Sequence, residues 1–205
     1  MTTLIIARHG NTFGPDDIVT YVGGRTDLPL VEKGVEQAKA IGRYLKDNRL
    51  IPDVVYSSTL QRTQETARIA VKESGVTNPV FPLEIFNEID YGPDENQPAD
   101  KVKARIGEEA LKHWEEEGLP PPGWMVDPVQ IIKNWQGFAD QVCAHDDGEV
   151  ALVVTSNGIA RFAPYITGDY EGFRECFSPK LATGALGILT HTGGRWLVKE
   201  WGLKP

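Results

Sequence analysis

The chain has 205 residues, 40% hydrophobic and 24% charged, which is enough to bury a sizeable core and ordinary for a globular domain. Its formal charge of −8 argues against sequence-blind nucleic-acid binding, which needs an excess of Lys and Arg to replace counterions, so any anionic ligand must find a locally basic pocket in an acidic surface. No apolar run reaches membrane-spanning or signal-peptide length, which makes the cytoplasm the expected location, and the two cysteines, Cys143 and Cys176, lack metal-type spacing and are expected as buried free thiols.

In chain order, Thr3 to Ala7 is β-branched and apolar and stops at Arg8, His9, Gly10, the pattern of a buried strand running into a loop. Residues 11 to 30, rich in Gly, Pro and Asp, have no period and are read as a long loop. From Val31 to Leu45, Val35, Ala38, Ile41, Gly42 and Leu45 recur at helical spacing. Asp53 to Tyr56 forms a second strand, followed by Ser57 and Ser58 as turn and cap and a helix from about Thr59 to Glu73. Val80 to Leu83 is the third strand, and Asn87 to Pro98 an acidic loop.

Residues 100 to 145 read as inserted and helical: one charged helix near Lys101 to Glu117, a break at Pro120 to Pro122, and a helix near Pro128 to Ala144. Such a length exceeds a plain connection. Val150 to Thr155 is the best central parallel strand, with a helical pattern over Gly158 to Ile166. Ala185 to Thr190 and Trp196 to Trp201, joined by Gly193 and Gly194, close the chain as a hairpin. The expected architecture is therefore α/β: one domain over residues 1–205, a three-layer sandwich with a mainly parallel sheet, one antiparallel strand and a helical insertion at about 93–145.

In an open α/β sheet ligands bind beyond the carboxyl ends of the strands. The residues there are Arg8, His9, Gly10, Asn11, Thr12 after the first strand, Ser57, Ser58 and Arg62 after the second, Glu88 and Asp90 after the third, and Thr155, Ser156, Asn157 after the fourth. Two guanidinium groups, Arg8 and Arg62, suit bidentate binding of phosphate oxygens. A neutral imidazole at His9 can attack phosphorus and form a covalent intermediate. Glu88 can protonate the leaving oxygen and later deprotonate water once its pKa is raised. This chemistry calls for no metal and no cofactor. Taken singly, each residue has a plainer role as a cap, solvated charge or loop acid; their convergence at four strand ends is the argument.

These residues carry a resemblance. The chain is similar to the histidine phosphatase superfamily, in its phosphoglycerate mutase-like branch, through Arg8-His9-Gly10-Asn11-Thr12, through Gly24 to Leu30 leading into Glu32-Lys33-Gly34, through Ser57 to Ala67 around Arg62, and through Asn87 to Gly92 around Glu88. The resemblance implies that His9 is phosphorylated, that Arg8 and Arg62 bind phosphate, that Glu88 donates the proton, and that Asn11, Arg25 and Thr26 lie near the substrate. One position departs from the pattern. The family places a second His after the fourth strand, where this chain has Ser156. A hydroxyl donates one hydrogen bond but carries no charge, and losing a well-placed donor of this kind costs about 100- to 1,000-fold in rate. Asn157 beside it is a further candidate amide donor. His145 lies at the wrong end of the sheet, His191 by the hairpin, and His113 on a charged helix face, so none is assigned to replace the missing imidazole.

The expected activity is hydrolysis of a small phosphomonoester through phosphohistidine, weakened by Ser156; the alternative is a catalytically impaired phosphate- or phosphoester-binding regulatory protein. A cysteine phosphatase is set aside because neither Cys143 nor Cys176 has an Arg six positions on, and a mutase is less favoured because nothing selects for returning phosphate to a bound sugar acid. The expected partner is a small phosphorylated metabolite or inorganic phosphate, with neither nucleic acid nor membrane; a homodimer through the closing hairpin stays open. Trp114, Trp124, Trp135 and Tyr91 are assigned to core packing, with a substrate cleft as the other possibility.

Overall fold

The computed structural model describes residues 1–145 and 148–205. Strand β1 (Thr2–Arg8) alternates its side chains between two buried faces, and this fixes the layers. Ile5 and Ala7 pack with Ile41 and Leu45 of helix α1 (Glu32–Asp47) and with Ala67, Ala70 and Val71 of α2 (Gln61–Ser74). Leu4 and Ile6 face the opposite core, formed with Val102 of α3 (Ala99–Ile106), Trp114 of α4 (Glu108–Glu117), Trp135, Phe138 and Val142 of α5 (Pro128–His145), Ile159 of α6 (Asn157–Ala160) and Phe173 of α7 (Tyr170–Cys176).

With β2 (Val54–Ser57), β3 (Val80–Pro82), β4 (Val150–Thr155), β5 (Leu186–Thr192) and β6 (Arg195–Leu203), the described residues form a six-stranded sheet ordered β3-β2-β4-β1-β5-β6. Three pairs are parallel, and β5 alone runs against its two neighbours. The α/β class and the single antiparallel strand thus agree with expectation. The chain leaves β1 over one face and β4 over the other, which opens a crevice between two adjacent strand ends. Their register sets Arg8 opposite Thr155, so His9 and Ser156 emerge side by side. Gly193 and Gly194, at φ 58° and 79°, make the tight turn of the closing hairpin.

Several local expectations are corrected. The charged segment expected as one helix is two, because Gly107 at φ 84° ends α3 and starts α4. Ser57 and Ser58 do not cap α2: its N-cap is Leu60, and Ser58 Oγ instead accepts from the Leu60 amide at 3.2 Å. After β4 the helix is only one turn, followed by a 3₁₀ segment at Ala163–Thr167, and α7 lies in a segment to which the sequence reading assigned no element. Cys143 is half-buried and Cys176 exposed, against the expected buried pair. Among the described residues no helix is long and apolar enough to cross a membrane. The side chain of His145 lies outside the described residues.

Candidate active site

His9 is 6% exposed and stands just past β1, its amide bonded to Thr155 O of β4 at 3.0 Å. Its Nδ1 lies 2.7 Å from Gly10 O. A carbonyl only accepts, so Nδ1 carries the proton and the Nε2 lone pair is left facing Arg62, whose Nε donates to it at 3.3 Å. Burial first, then the cations Arg62 and Arg8, hold the imidazole pKa well below its usual value, so the ring is neutral near pH 7. Gly10 is required where the loop crosses the start of α1, since a Cβ there would fall 2.3 Å from Gly34 O.

Arg62, in the first turn of α2, is fully buried. Its Nη1 donates to Thr26 O at 2.8 Å and its Nη2 to Gly23 O at 3.2 Å, so the long loop between β1 and α1 holds the guanidinium against His9. Arg8 donates from Nη1 to Leu181 O at 2.8 Å, while its buried Nε has no hydrogen-bond partner. Glu88 is buried between backbone donors, with Oε1 accepting from the Ile89 amide at 3.0 Å and Oε2 from the Gly158 amide at 3.2 Å. Burial raises its pKa, and the two amides and the cations Arg62 and Arg8 only partly oppose that.

The end of β4 divides its work between two residues. Ser156 is fully buried, its Oγ has no hydrogen-bond partner, and it does not line the cavity. Asn157 does line it, and its Oδ1 accepts from the Leu181 amide at 2.9 Å. Because that amide can only donate, the carboxamide's two N–H groups are left for the cavity. The Leu181 peptide therefore aligns Arg8 with its carbonyl and Asn157 with its amide. Nearby, Thr183 Oγ1 donates to Asn11 Oδ1, and Gln37 joins both by accepting from the Asn11 amide at 2.8 Å and donating to Thr183 O at 3.0 Å.

The structure thus brings Arg8, His9, Asn11, Glu88 and Asn157 to one cavity of about 770 Å³, with Arg62 behind His9. Arg25 and Thr26 do not line it. Arg25 Nε pairs with Asp90 at 2.9 Å, and Thr26 Oγ1 donates to Glu95 at 2.8 Å; Glu95 also takes the Gly23, Arg25 and Tyr91 amides, so this carboxylate pins the loop that grips Arg62. Trp114, Trp124 and Trp135 are core residues, whereas Tyr91 lines the cavity. His113 is half-exposed between Glu109 and Glu117, away from the site. Sequence reasoning missed Leu181 and Thr183, and also Glu115 of α4, whose carboxylate pairs with Lys180 at the cavity wall. Leu181 acts through its backbone, so no side-chain pattern announces it. Among the described residues no group of three or more His, Cys, Asp or Glu side chains is placed to hold a metal ion.

A neutral imidazole with an unprotonated Nε2, two buried guanidinium groups and a carboxyl with a raised pKa can together receive, hold and protonate a phosphoryl ester. Comparison with known proteins points the same way. Residues 4–204 match the family described as the histidine phosphatase superfamily, branch 1. A protein of Parvibaculum lavamentivorans named as 2,3-bisphosphoglycerate-dependent phosphoglycerate mutase is 35% identical over 123 residues, which span 58% of this chain and 57% of that protein. A Methylobacterium protein of the same name is 34% identical over 170 residues, 76% of this chain and 81% of its own. In fold, the chain is similar to an Entamoeba histolytica phosphoserine phosphatase variant solved with phosphoserine, at TM-score 0.75 and 21% identity, covering 98% of this chain and 97% of that one.

Proposed function

The chain belongs to the histidine phosphatase superfamily, and from that membership we propose that it hydrolyses a small phosphomonoester through a phosphohistidine on His9, at a rate weakened by Ser156. The observation that carries this reading is the His9 tautomer: Nδ1–H is bound to Gly10 O, leaving Nε2 unprotonated, its lone pair held only by the Arg62 Nε–H.

In this reading the phosphoryl group enters between His9 and Arg62, and one of its oxygens replaces Nε2 as the acceptor of the Arg62 Nε–H. A second oxygen takes the idle Nε–H of Arg8, and Asn11 and the Asn157 amide flank the group. Nε2 attacks phosphorus as the ester P–O bond breaks, and the Glu88 proton passes to the leaving alkoxide. Water then attacks the phosphohistidine, losing its proton to Glu88, and the P–N bond breaks to return neutral imidazole and phosphate. Arg25 and Thr26 act here through the loop that holds Arg62. Ser156, a buried neutral hydroxyl outside the cavity lining, does not replace an imidazolium, and the slower rate follows. The same feature favours a second reading, a phosphoester-binding protein with little turnover, since phosphate binding by Arg8 and Arg62 does not depend on residue 156.

Hydrolysis of an aryl phosphate separates the two. Wild type is expected to turn over, His9→Ala to be inactive, and Ser156→His to gain up to roughly 100- to 1,000-fold in kcat. Acid-labile, base-stable phosphate on trapped wild type should disappear in His9→Ala. If wild type matches His9→Ala while phosphate still raises its melting temperature, the binding reading replaces the enzymatic one.

A further inference from the structure

The cavity is built asymmetrically. Arg8, His9 and Glu88 lie on its lining, and the loop after β1 adds a run of apolar side chains, Phe13, Pro15, Val19, Val22 and Val31, interrupted by Thr12 and Thr20. Tyr21 and Tyr91, in edge-to-face contact at 5.2 Å, continue that surface toward Glu88. Hydrogen bonds pin this loop on both sides of residues 18 and 19. Gly14 and Asp17 exchange bonds at 2.7 and 3.3 Å, and Tyr21 and its neighbours Asn96 and Gln97 exchange backbone bonds at 2.8 and 3.0 Å. Between the pins, Val19 lines the cavity yet is 61% exposed, and Ile18 beside it is 74% exposed. A loop held in place that presents aliphatic side chains to water at a cavity mouth is a surface for an apolar ligand group.

Besides Arg8, the cations on the cavity lining are Lys180, whose Nζ lies 3.0 Å from both carboxylate oxygens of Glu115, and Lys33 at the start of α1. A volume of about 770 Å³ also falls in the range that accepts drug-sized ligands, well beyond what a three-carbon phosphoester fills. From these features we propose that the cavity recognises phosphomonoesters whose alcohol carries an extended apolar chain or ring, seated on Phe13, Val19 and Val22 with the phosphoryl group on Arg8, His9 and Arg62. This inference rests on the site being a phosphoester site, and it concerns binding, so it can be tested apart from turnover.

Calorimetric titration with methyl-, butyl- and hexylphosphonate, non-hydrolysable stand-ins for phosphomonoesters, and with 3-phosphonopropionate as a short acidic counterpart provides the test. Affinity should rise along the alkyl series by up to roughly three- to fourfold per methylene that the wall covers, and hexylphosphonate should bind far tighter than 3-phosphonopropionate. Val19→Asp should flatten that rise. Val129→Asp, at an exposed apolar position on α5 outside the cavity, should preserve it. Methylphosphonate binding with no gain from longer chains overturns the inference, as does preference for 3-phosphonopropionate. Chain-dependent binding without hydrolysis of butyl phosphate supports the inference while removing the phosphatase reading.

Discussion

At the scale of residues, the proposed chemistry depends on two ionisable groups pushed in opposite directions by the same burial. His9 is held neutral and Glu88 is moved toward its protonated form, the assignment that a nucleophile and a general acid need. The sign of each shift has a measurable consequence. A histidine with a lowered folded pKa contributes stability that is complete above its unfolded value of about 6.5 and is lost as pH falls through that value toward the folded one. Melting curves should therefore show wild type losing stability between pH 7 and pH 5 faster than His9→Asn, which has no proton to take up; parallel curves would refute a neutral buried imidazole. In the proposed mechanism Glu88, with its pKa raised, must keep its proton for the leaving group, so kcat should fall on the alkaline side as it ionises, and Glu88→Gln should cost about 100- to 10,000-fold in turnover.

At the scale of elements, the site is assembled by connections more than by helices and strands. The turn from β4 into α6 must bring the Gly158 amide against Glu88, and only glycine permits this, because a Cβ at 158 would fall 2.3 Å from Glu88 Oε1. Gly158→Ala should lower stability by about 1–3 kcal/mol through overpacking, and kcat by roughly 100-fold through displacement of the carboxyl. Circular dichroism and turnover numbers together check this; unchanged kcat would free Glu88 from the proposed role. The segment between β3 and β4 is tied down differently. Buried Asp94 accepts from Trp124 Nε1 at 2.7 Å and from both Nε and Nη2 of Arg105. Burial pushes the Asp94 carboxyl up, but these donors prevail and leave it below its ordinary range. Its contribution is present above the unfolded pKa of about 3.9 and lost as pH falls through the lower folded value. Asp94→Asn should cost about 2 kcal/mol at neutral pH and reduce the acid sensitivity of unfolding below pH 4, read from urea titrations at pH 7 and pH 3.

At the scale of the whole molecule, an acidic protein of net charge −8 concentrates Arg8 and Arg62 where the chain leaves β1 over one face and β4 over the other. The buried Nε of Arg8, on a residue that lines the cavity and without a partner, is the group that an anion bound as proposed would satisfy. Phosphate or vanadate at about 100 times its dissociation constant should stabilise the fold by about 2.7 kcal/mol, a rise of roughly 5–10 °C in melting temperature for a chain of this size. Arg8→Ala should abolish that rise.

Much of this was legible in the residues themselves. The runs Thr3 to Ala7 and Val150 to Thr155 specify buried strands by composition, the spacing of Val35, Ala38, Ile41 and Leu45 specifies a helix face, and the motifs around His9, Arg62 and Glu88 name the family. These are local properties, set by side-chain period and by short-range chemistry. What only the tertiary structure decided is non-local: that β4 inserts between β1 and β2, that the Leu181 backbone aligns Arg8 with Asn157, that Glu95 pins the loop gripping Arg62, and that Phe13, Val19 and Val22 face one cavity. Backbone amides and carbonyls are the same in every residue, so the partners they choose across the fold leave no mark in the sequence.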